Sequence, residues 1–206
     1  MTLKKWLLYH HKNIVFGRCS WMGIPVFKNP LDCWIYQEII HEIRPDVVVE
    51  LGSAAGGSTL YLAHLLDLLG HGLVISVDVD RSAFRAEHDR IRSITGKTDD
   101  PDVVKEVAEL CHNKRTIVIH DADHNKSQVL ADMHLYAPYV SVGSYLIVED
   151  GIVDLFRPYD GLGWLRDGPL PAINQFLKEN IHFQIDEGRE RYILTYNPRG
   201  FLRRMR

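Results

Sequence analysis

The stretch from Asp46 to Gly57, DVVVELGSAAGG, constrains this chain more than any other. Val47, Val48 and Val49 form a β-branched apolar run that suits a parallel strand covered on both faces. Glu50 places a carboxylate at the strand's carboxyl end, and Gly52, Gly56 and Gly57 follow as a tight turn. Ser58 then opens a helical pattern through Leu60, Leu62, Ala63, Leu65 and Leu66. Strand, glycine turn and helix N-terminus together make a nucleotide pocket at the top of a parallel sheet. The dinucleotide fingerprint G-x-G-x-x-G is not met, because position 54 is Ala, and the pattern reads E-x-G-x-x-x-G-x-S instead.

The rest of the chain repeats the strand–helix alternation of a doubly wound sheet. LVISVDVD gives a second strand with Asp78 at its carboxyl end, where a carboxylate can accept from both ribose hydroxyls. Asp80 competes for that role but reads better as a surface cap. Residues 82–92 are expected as a helix, and ITGKTDDPDV as a short third strand and its loop. Pro101 opens the next helix; Asp99 or Asp100 caps it, and either is placed to face an adenine. Thr116 to His120 form a fourth strand ending in Asp121, followed by a helix from His124 to Leu135. Tyr145 to Val148 form a fifth, ending in Glu149-Asp150. The loop from Gly151 to Pro171, with Phe156, Tyr159 and Trp164, reads as a lid, and residues 171–180 as a last helix. HFQID and RYILTY, separated by EGRE, read as a closing antiparallel hairpin. Upstream, residues 3–13 suggest a short amphipathic helix, and Asp32 a cap for a helix from Cys33 to Ile43. The expected fold is α/β: a Rossmann-like, mostly parallel seven-stranded sheet with an antiparallel C-terminal hairpin. One domain over residues 1–206 is expected, its first 45 residues covering the site.

Composition excludes little and agrees with this. The hydrophobic fraction of 46% and formal net charge of -3 are ordinary for a globular protein and call for neither nucleic acid nor membrane. Cys19, Cys33 and Cys111 have no metal-ligand spacing and point to reduced thiols in a cytoplasmic setting. The basic tail around Arg199, Arg203, Arg204 and Arg206 is interleaved with Phe201 and Leu202, which dock on the body or on a neighbouring subunit.

The glycine pattern resembles the first motif of class I S-adenosylmethionine (SAM) methyltransferases. That resemblance implies a pocket in which the glycines make room for the methionine part of SAM. Glu50, Gly52, Ser53, Gly56, Ser58, Asp78 and Asp121 are then the candidate cofactor-binding residues. Strands four and five are expected side by side, about 4.8 Å apart, so Asp121, Glu149 and Asp150 converge beside the cofactor. Three bare carboxylates at that distance repel one another, and a hard divalent cation such as magnesium resolves the repulsion. His120 and His124 have H-x-x-x-H spacing, but they lie on a strand and beyond its turn, so zinc is disfavoured. His124 is the candidate base, placed to take a proton from a substrate hydroxyl.

The segments WMGIPVFKNPLDCWIYQE, VELGSAAGGS, SVDVD, DADH, IVED, GPLPA and NPRGFLRR resemble the cephalosporin hydroxylase/rhamnosyl O-methyltransferase family. The resemblance implies a metal- and SAM-dependent O-methyltransferase acting on a small hydroxylated natural product or sugar. In it, the D-x-x-H and E-D pieces at Asp121, His124, Glu149 and Asp150 hold the metal and the base. The expected partners are a small-molecule acceptor and further copies of the chain in a homo-oligomer. The competing readings are a hydroxylase or its accessory protein, and a non-catalytic SAM-binding module.

Overall fold

In a computed structural model, described for residues 1–156 and 167–206, the order of elements explains how the site is built. A central sheet of seven strands runs β5-β4-β3-β6-β7-β9-β8. Its strands are β3 (Val47–Leu51), β4 (Leu73–Asp78), β5 (Ile91–Thr95), β6 (Thr116–His120), β7 (Tyr145–Val148), β8 (Phe183–Ile185) and β9 (Phe201–Arg204). The first five of these are parallel; β9 is antiparallel to both β7 and β8. The mostly parallel sheet with an antiparallel C-terminal hairpin is therefore as the sequence implied. The strand order reverses between β3 and β6, and a crevice outside the carboxyl ends at such a point is where α/β proteins bind ligands.

Each face of the sheet carries its own core. Val47, Val49 and Leu51 pack with Val103 and Val107 of α5 (Pro101–Cys111), Val129 and Met133 of α6 (Lys126–Tyr136), and Ile173 and Phe176 of α7 (Pro169–Glu179). Val48 points the other way, toward Ile35 and Ile39 of α3 (Pro30–Ile43) and Leu62 and Leu66 of α4 (Gly57–Leu69). This alternation is the two-residue period of a strand buried on both sides. Among the described residues, no helix is long and apolar enough to cross a membrane.

Several local expectations are corrected. Residues 82–92 form no helix. The Arg81 guanidinium is instead anchored to Ser76 and to the carbonyl of Ile94 at 2.7 Å, while the Asp80 carboxylate accepts from the Ser82 amide at 2.8 Å. The Arg85 amide donates to the Ala55 carbonyl at 3.0 Å, so this backbone is spent against the glycine turn, and β5 already begins at Ile91. RYILTY is not a strand. The Asn29 amide group donates to the Leu194 carbonyl at 3.1 Å, and Asp32 Oδ2 accepts from the Tyr196 amide at 2.8 Å, so these groups are tied to the start of α3. The partner of β8 is FLRR in the basic tail, with Phe201 and Leu202 fully buried. Asn29, not Asp32, caps α3, and Pro30 stands in its first turn. Buried Asp32, whose pKa burial pushes up to about 6, serves as a staple to the C-terminal segment. The N-terminal helix α1 (Leu3–Tyr9) passes into a π-helical turn over His10–Val15 and then α2 (Phe16–Arg18). A small hairpin, β1 (Ser20–Trp21) and β2 (Ile24–Pro25), precedes α3. Helix α6 begins at Lys126, two residues later than expected from His124. Residues 157–166 of the expected lid, with Tyr159 and Trp164, lie outside the described residues.

One buried polar cluster fixes α6 to the sheet. The Asp132 carboxylate lies 2.9 Å from His120 Nε2, 2.9 Å from the Thr98 hydroxyl and 3.0 Å from the Gln128 amide nitrogen. His120 is thereby turned into the core, which explains why it does not join His124. Removing a fully buried carboxylate with three partners leaves them unsatisfied. Asp132→Ala is expected to lower the unfolding free energy by about 3 kcal/mol in urea denaturation; a loss under about 1 kcal/mol would show that the cluster is not a clamp.

Candidate active site

The turn after β3 is shaped by how closely other chain segments approach it. Gly52 has φ +85°, and a Cβ there would collide with the carbonyl of Asp121 and lie 2.9 Å from Ala122 Cα. Gly57 is pressed by the carbonyls of Ile24 and Pro25 in the same way. These glycines are required by the protein's own packing, not only by the room a cofactor would need. Gly56 is likewise filled by Phe84 and Ala86. Beneath the turn, Asp78 accepts from the amides of Ser53 (2.8 Å), Ala54 (2.9 Å) and Asp80 (3.0 Å). Burial raises the Asp78 pKa, but these N–H donors and nearby Arg81 outweigh it and hold the carboxyl below its ordinary range.

Above the turn lies a cavity of about 560 Å³. The loop Pro25–Lys28 forms one wall, and Gly52, Ser53, Ser58 and Asp78 lie at its floor end. Thr98, Asp99 and Gln128 line it on the β5 and α6 side, with Asp121 on the β6 side. Asp100 caps α5 by accepting from the Asp102 amide at 2.9 Å, so Asp99 is the acid left facing the cavity. Glu50 is not among the lining residues. It is fully buried; one oxygen accepts from the Thr59 hydroxyl, and the other has no partner among the described residues. Burial, its largest influence, pushes the Glu50 pKa upward. An orphaned buried acceptor is the kind of group an ordered water satisfies.

The acids converge where β6 and β7 end. His124 Nε2 lies 3.0 Å from Asp150 Oδ2 and 3.7 Å from Asp121 Oδ1. Asp121, His124 and Asp150 each offer a ligand atom within 4.8 Å of the others, a donor set that fits a cation. Asp150 takes φ +58°, a left-handed conformation that Asp tolerates better than most residues, and its amide donates to Asn197 Oδ1 at 3.1 Å. Glu149, buried at 5% exposure, stands outside this trio and is bonded to Lys28. The Lys28 ammonium bridges Glu149 Oε1 at 2.6 Å and Asp121 Oδ2 at 2.7 Å. Burial and the neighbouring acids Asp121 and Asp150 push the Glu149 pKa upward against the pull of Lys28. Burial opposes the charged form of His124, yet the hydrogen bond and charge of Asp150, with Asp121 and Glu149, raise its pKa to about 9.

Lys28 was not legible as a site residue. Its only signal was a single cation in the apolar, proline-punctuated run just before a capped helix. Arg81, which also donates to the Ser53 hydroxyl at 2.9 Å, and the Thr98–Asp132–Gln128 group were hidden because the contacts that define them are long-range.

A seven-stranded sheet with a switch-point cavity, a glycine turn and an acid at the end of β4 defines the class I methyltransferase fold. The family described as Rhamnosyl O-methyltransferase/CmcI matches residues 13–205, and the chain belongs to this family of SAM-dependent O-methyltransferases. A rhamnosyl O-methyltransferase of Mycobacterium bovis is 32% identical over 203 residues, covering 94% of this chain and 81% of that protein. One of Mycobacterium leprae is 32% identical over 201 residues, covering 94% and 86%. A solved CmcI structure with Mg-SAM aligns at a TM-score of 0.69 with 26% identity, covering 90% of this chain and 76% of that one.

The His124 pairing has a definite pH signature. Its folded-state pKa is raised from 6.5 to about 9, so its stabilisation is complete below about pH 6.5 and is lost as pH rises through about 9. In metal-free protein, the melting-temperature gap between the native chain and His124→Gln should be widest at acid pH and close above about pH 9. A gap that does not vary with pH would show that the imidazole is held uncharged.

Proposed function

We propose that this chain transfers the methyl group of SAM to a hydroxyl of a small natural product or sugar, with the help of a hard divalent cation such as magnesium. The observation that carries this reading is the convergence of Asp121, His124 and Asp150 beside a cavity that already contains the glycine turn and Asp78. The names of the relatives support it: curated homologues are rhamnosyl O-methyltransferases, and the aligned CmcI structure is described with Mg-SAM.

When bound, SAM supplies an electrophilic sulfonium methyl. A cation would be held by Asp121 and Asp150, with Glu149 beside them, and would supply the polarisation that acidifies an acceptor hydroxyl. This chain's residues do the rest. Asp78, at the end of β4, is placed for the ribose, and Asp99, Thr98 and Gln128 for the base beyond it. Asp150 orients the His124 ring by accepting from Nε2, so the nitrogen left to take the hydroxyl proton is Nδ1. Once the surrounding carboxylate charge is compensated, His124 returns toward its ordinary range and becomes able to accept that proton. Val26 and Phe27 give the cavity wall an apolar patch. On this reading residues 1–206 act as one methyltransferase domain, with the first 45 residues forming part of the wall over the site.

The test is release of S-adenosylhomocysteine (SAH) with rhamnosylated, catechol and glycosylated acceptors, with and without EDTA. Activity is expected to vanish in EDTA and return with magnesium. Asp150→Ala should lose metal-dependent turnover, and His124→Ala should fall by about 10²–10⁴-fold with SAH affinity retained. Full turnover in EDTA would overturn the metal assignment, and an unaltered His124→Ala rate would remove the base.

A further inference from the structure

The buried ammonium of Lys28 is not used by the mechanism above. Lys28 lies on the loop between β2 and α3 and is only 4% exposed. Its two acceptors, Asp121 and Glu149, sit at the ends of the adjacent parallel strands β6 and β7. Hydrating an ammonium is so favourable that a lysine is buried this deeply only where fixed negative charge replaces the water. The same two carboxylates belong to the set that would hold a cation, and Glu149 stands outside the Asp121–His124–Asp150 trio while its Oε1 is bonded to Lys28. The loop that carries Lys28 is not isolated: Pro25, Val26 and Phe27 line the cofactor cavity, Pro25 rests on Gly57, and the Phe27 ring stacks on Phe16 at 5.2 Å.

We infer that Lys28 is a tethered counter-cation, which holds the Asp121–Glu149 pair together in the metal-free protein and competes with the divalent cation for it. The inference rests on the reading of the acid cluster as a cation site. Two positive groups drawing on one pair of carboxylates oppose each other, so the lysine stabilises the empty site and lowers its affinity for the ion. Because the lysine's own loop forms a wall of the cofactor cavity, a shift of that loop on ion binding would couple ion and cofactor, each then changing the affinity of the other by the same factor. Lys28 is therefore a positioning residue for the ion rather than a catalytic one.

The test uses Mn²⁺ as the probe, with binding followed by electron paramagnetic resonance in the absence of SAM. Lys28→Gln and Lys28→Met should bind Mn²⁺ on the order of tenfold more tightly than the native chain. Their metal-free forms should melt at lower temperature and recover when Mn²⁺ is added. A second measurement needs no substitution: in protein labelled with ¹⁵N-lysine, the protected Lys28 ammonium signal should shift as Mg²⁺ is titrated, and it decides the matter if the variants do not fold. Weaker or unchanged Mn²⁺ binding in the variants, or an ammonium signal indifferent to Mg²⁺, would overturn the inference while leaving the metal site standing. Unchanged Mn²⁺ binding with lost SAH affinity would overturn it in favour of a cofactor contact. If the native chain binds no Mn²⁺ at all, the metal reading falls and this inference falls with it.

Discussion

The structure depends on the close approach of the turn after β3 to the end of β6. Leu51 pairs with His120 in parallel register, the Asp121 amide donates to the Leu51 carbonyl at 2.8 Å, and Gly52 leaves no room for a side chain beside the Asp121 carbonyl. This one contact brings the glycine turn, with Asp78 beneath it, alongside the first acid of the β6–β7 cluster. A side chain at position 52 would push the two strand ends apart and separate the halves of the site. The glycine is thus needed for the geometry of the sheet before any ligand is considered.

Electrostatics then organise the other half. Five ionisable groups from three parts of the chain share a small volume: Asp121 and His124 after β6, Glu149 and Asp150 after β7, and Lys28 joining them from the loop before α3. Burial by itself disfavours charge on such groups, and mutual pairing opposes that penalty. Burial pushes the Glu149 pKa up and the His124 pKa down, but the surrounding carboxylates raise both, and at His124 they prevail. A further positive charge is what such a cluster lacks, and the reactivity of its imidazole follows from whether that charge is supplied.

How much of this was legible in the sequence divides along physical lines. Strands buried on both faces, such as Val47–Leu51 and Thr116–His120, announce themselves by apolar runs, and their terminal acids follow from position alone. The adjacency of β6 and β7 followed from doubly wound topology, so the converging acids were visible before any coordinates. Residues 82–92 misled because a short polar segment with helical spacing has no core to commit it, and the long-range bonds of Arg81 outweighed that spacing. RYILTY looks β-prone, yet its backbone is bonded to Asn29 and Asp32, residues far earlier in the chain, and no local pattern reports such a bond. Lys28 was missed for the same reason: its meaning lies in partners brought to it only by the finished fold.

The placement of β9 has a consequence for how the molecule comes to exist. FLRR inserts between β7 and β8, so β7, which carries Glu149 and Asp150 at its end, has its outer edge unpaired until residues 201–204 have been made. Asn197 and Tyr196, which steady Asp150 and meet Asp32, arrive in the same late stretch. During synthesis the ribosome therefore releases a chain whose cofactor half, from β3 to β6, is already available while its acid half still presents a bare strand edge. Such an edge invites pairing with another nascent chain, and chaperone shielding or rapid completion would matter most in that interval.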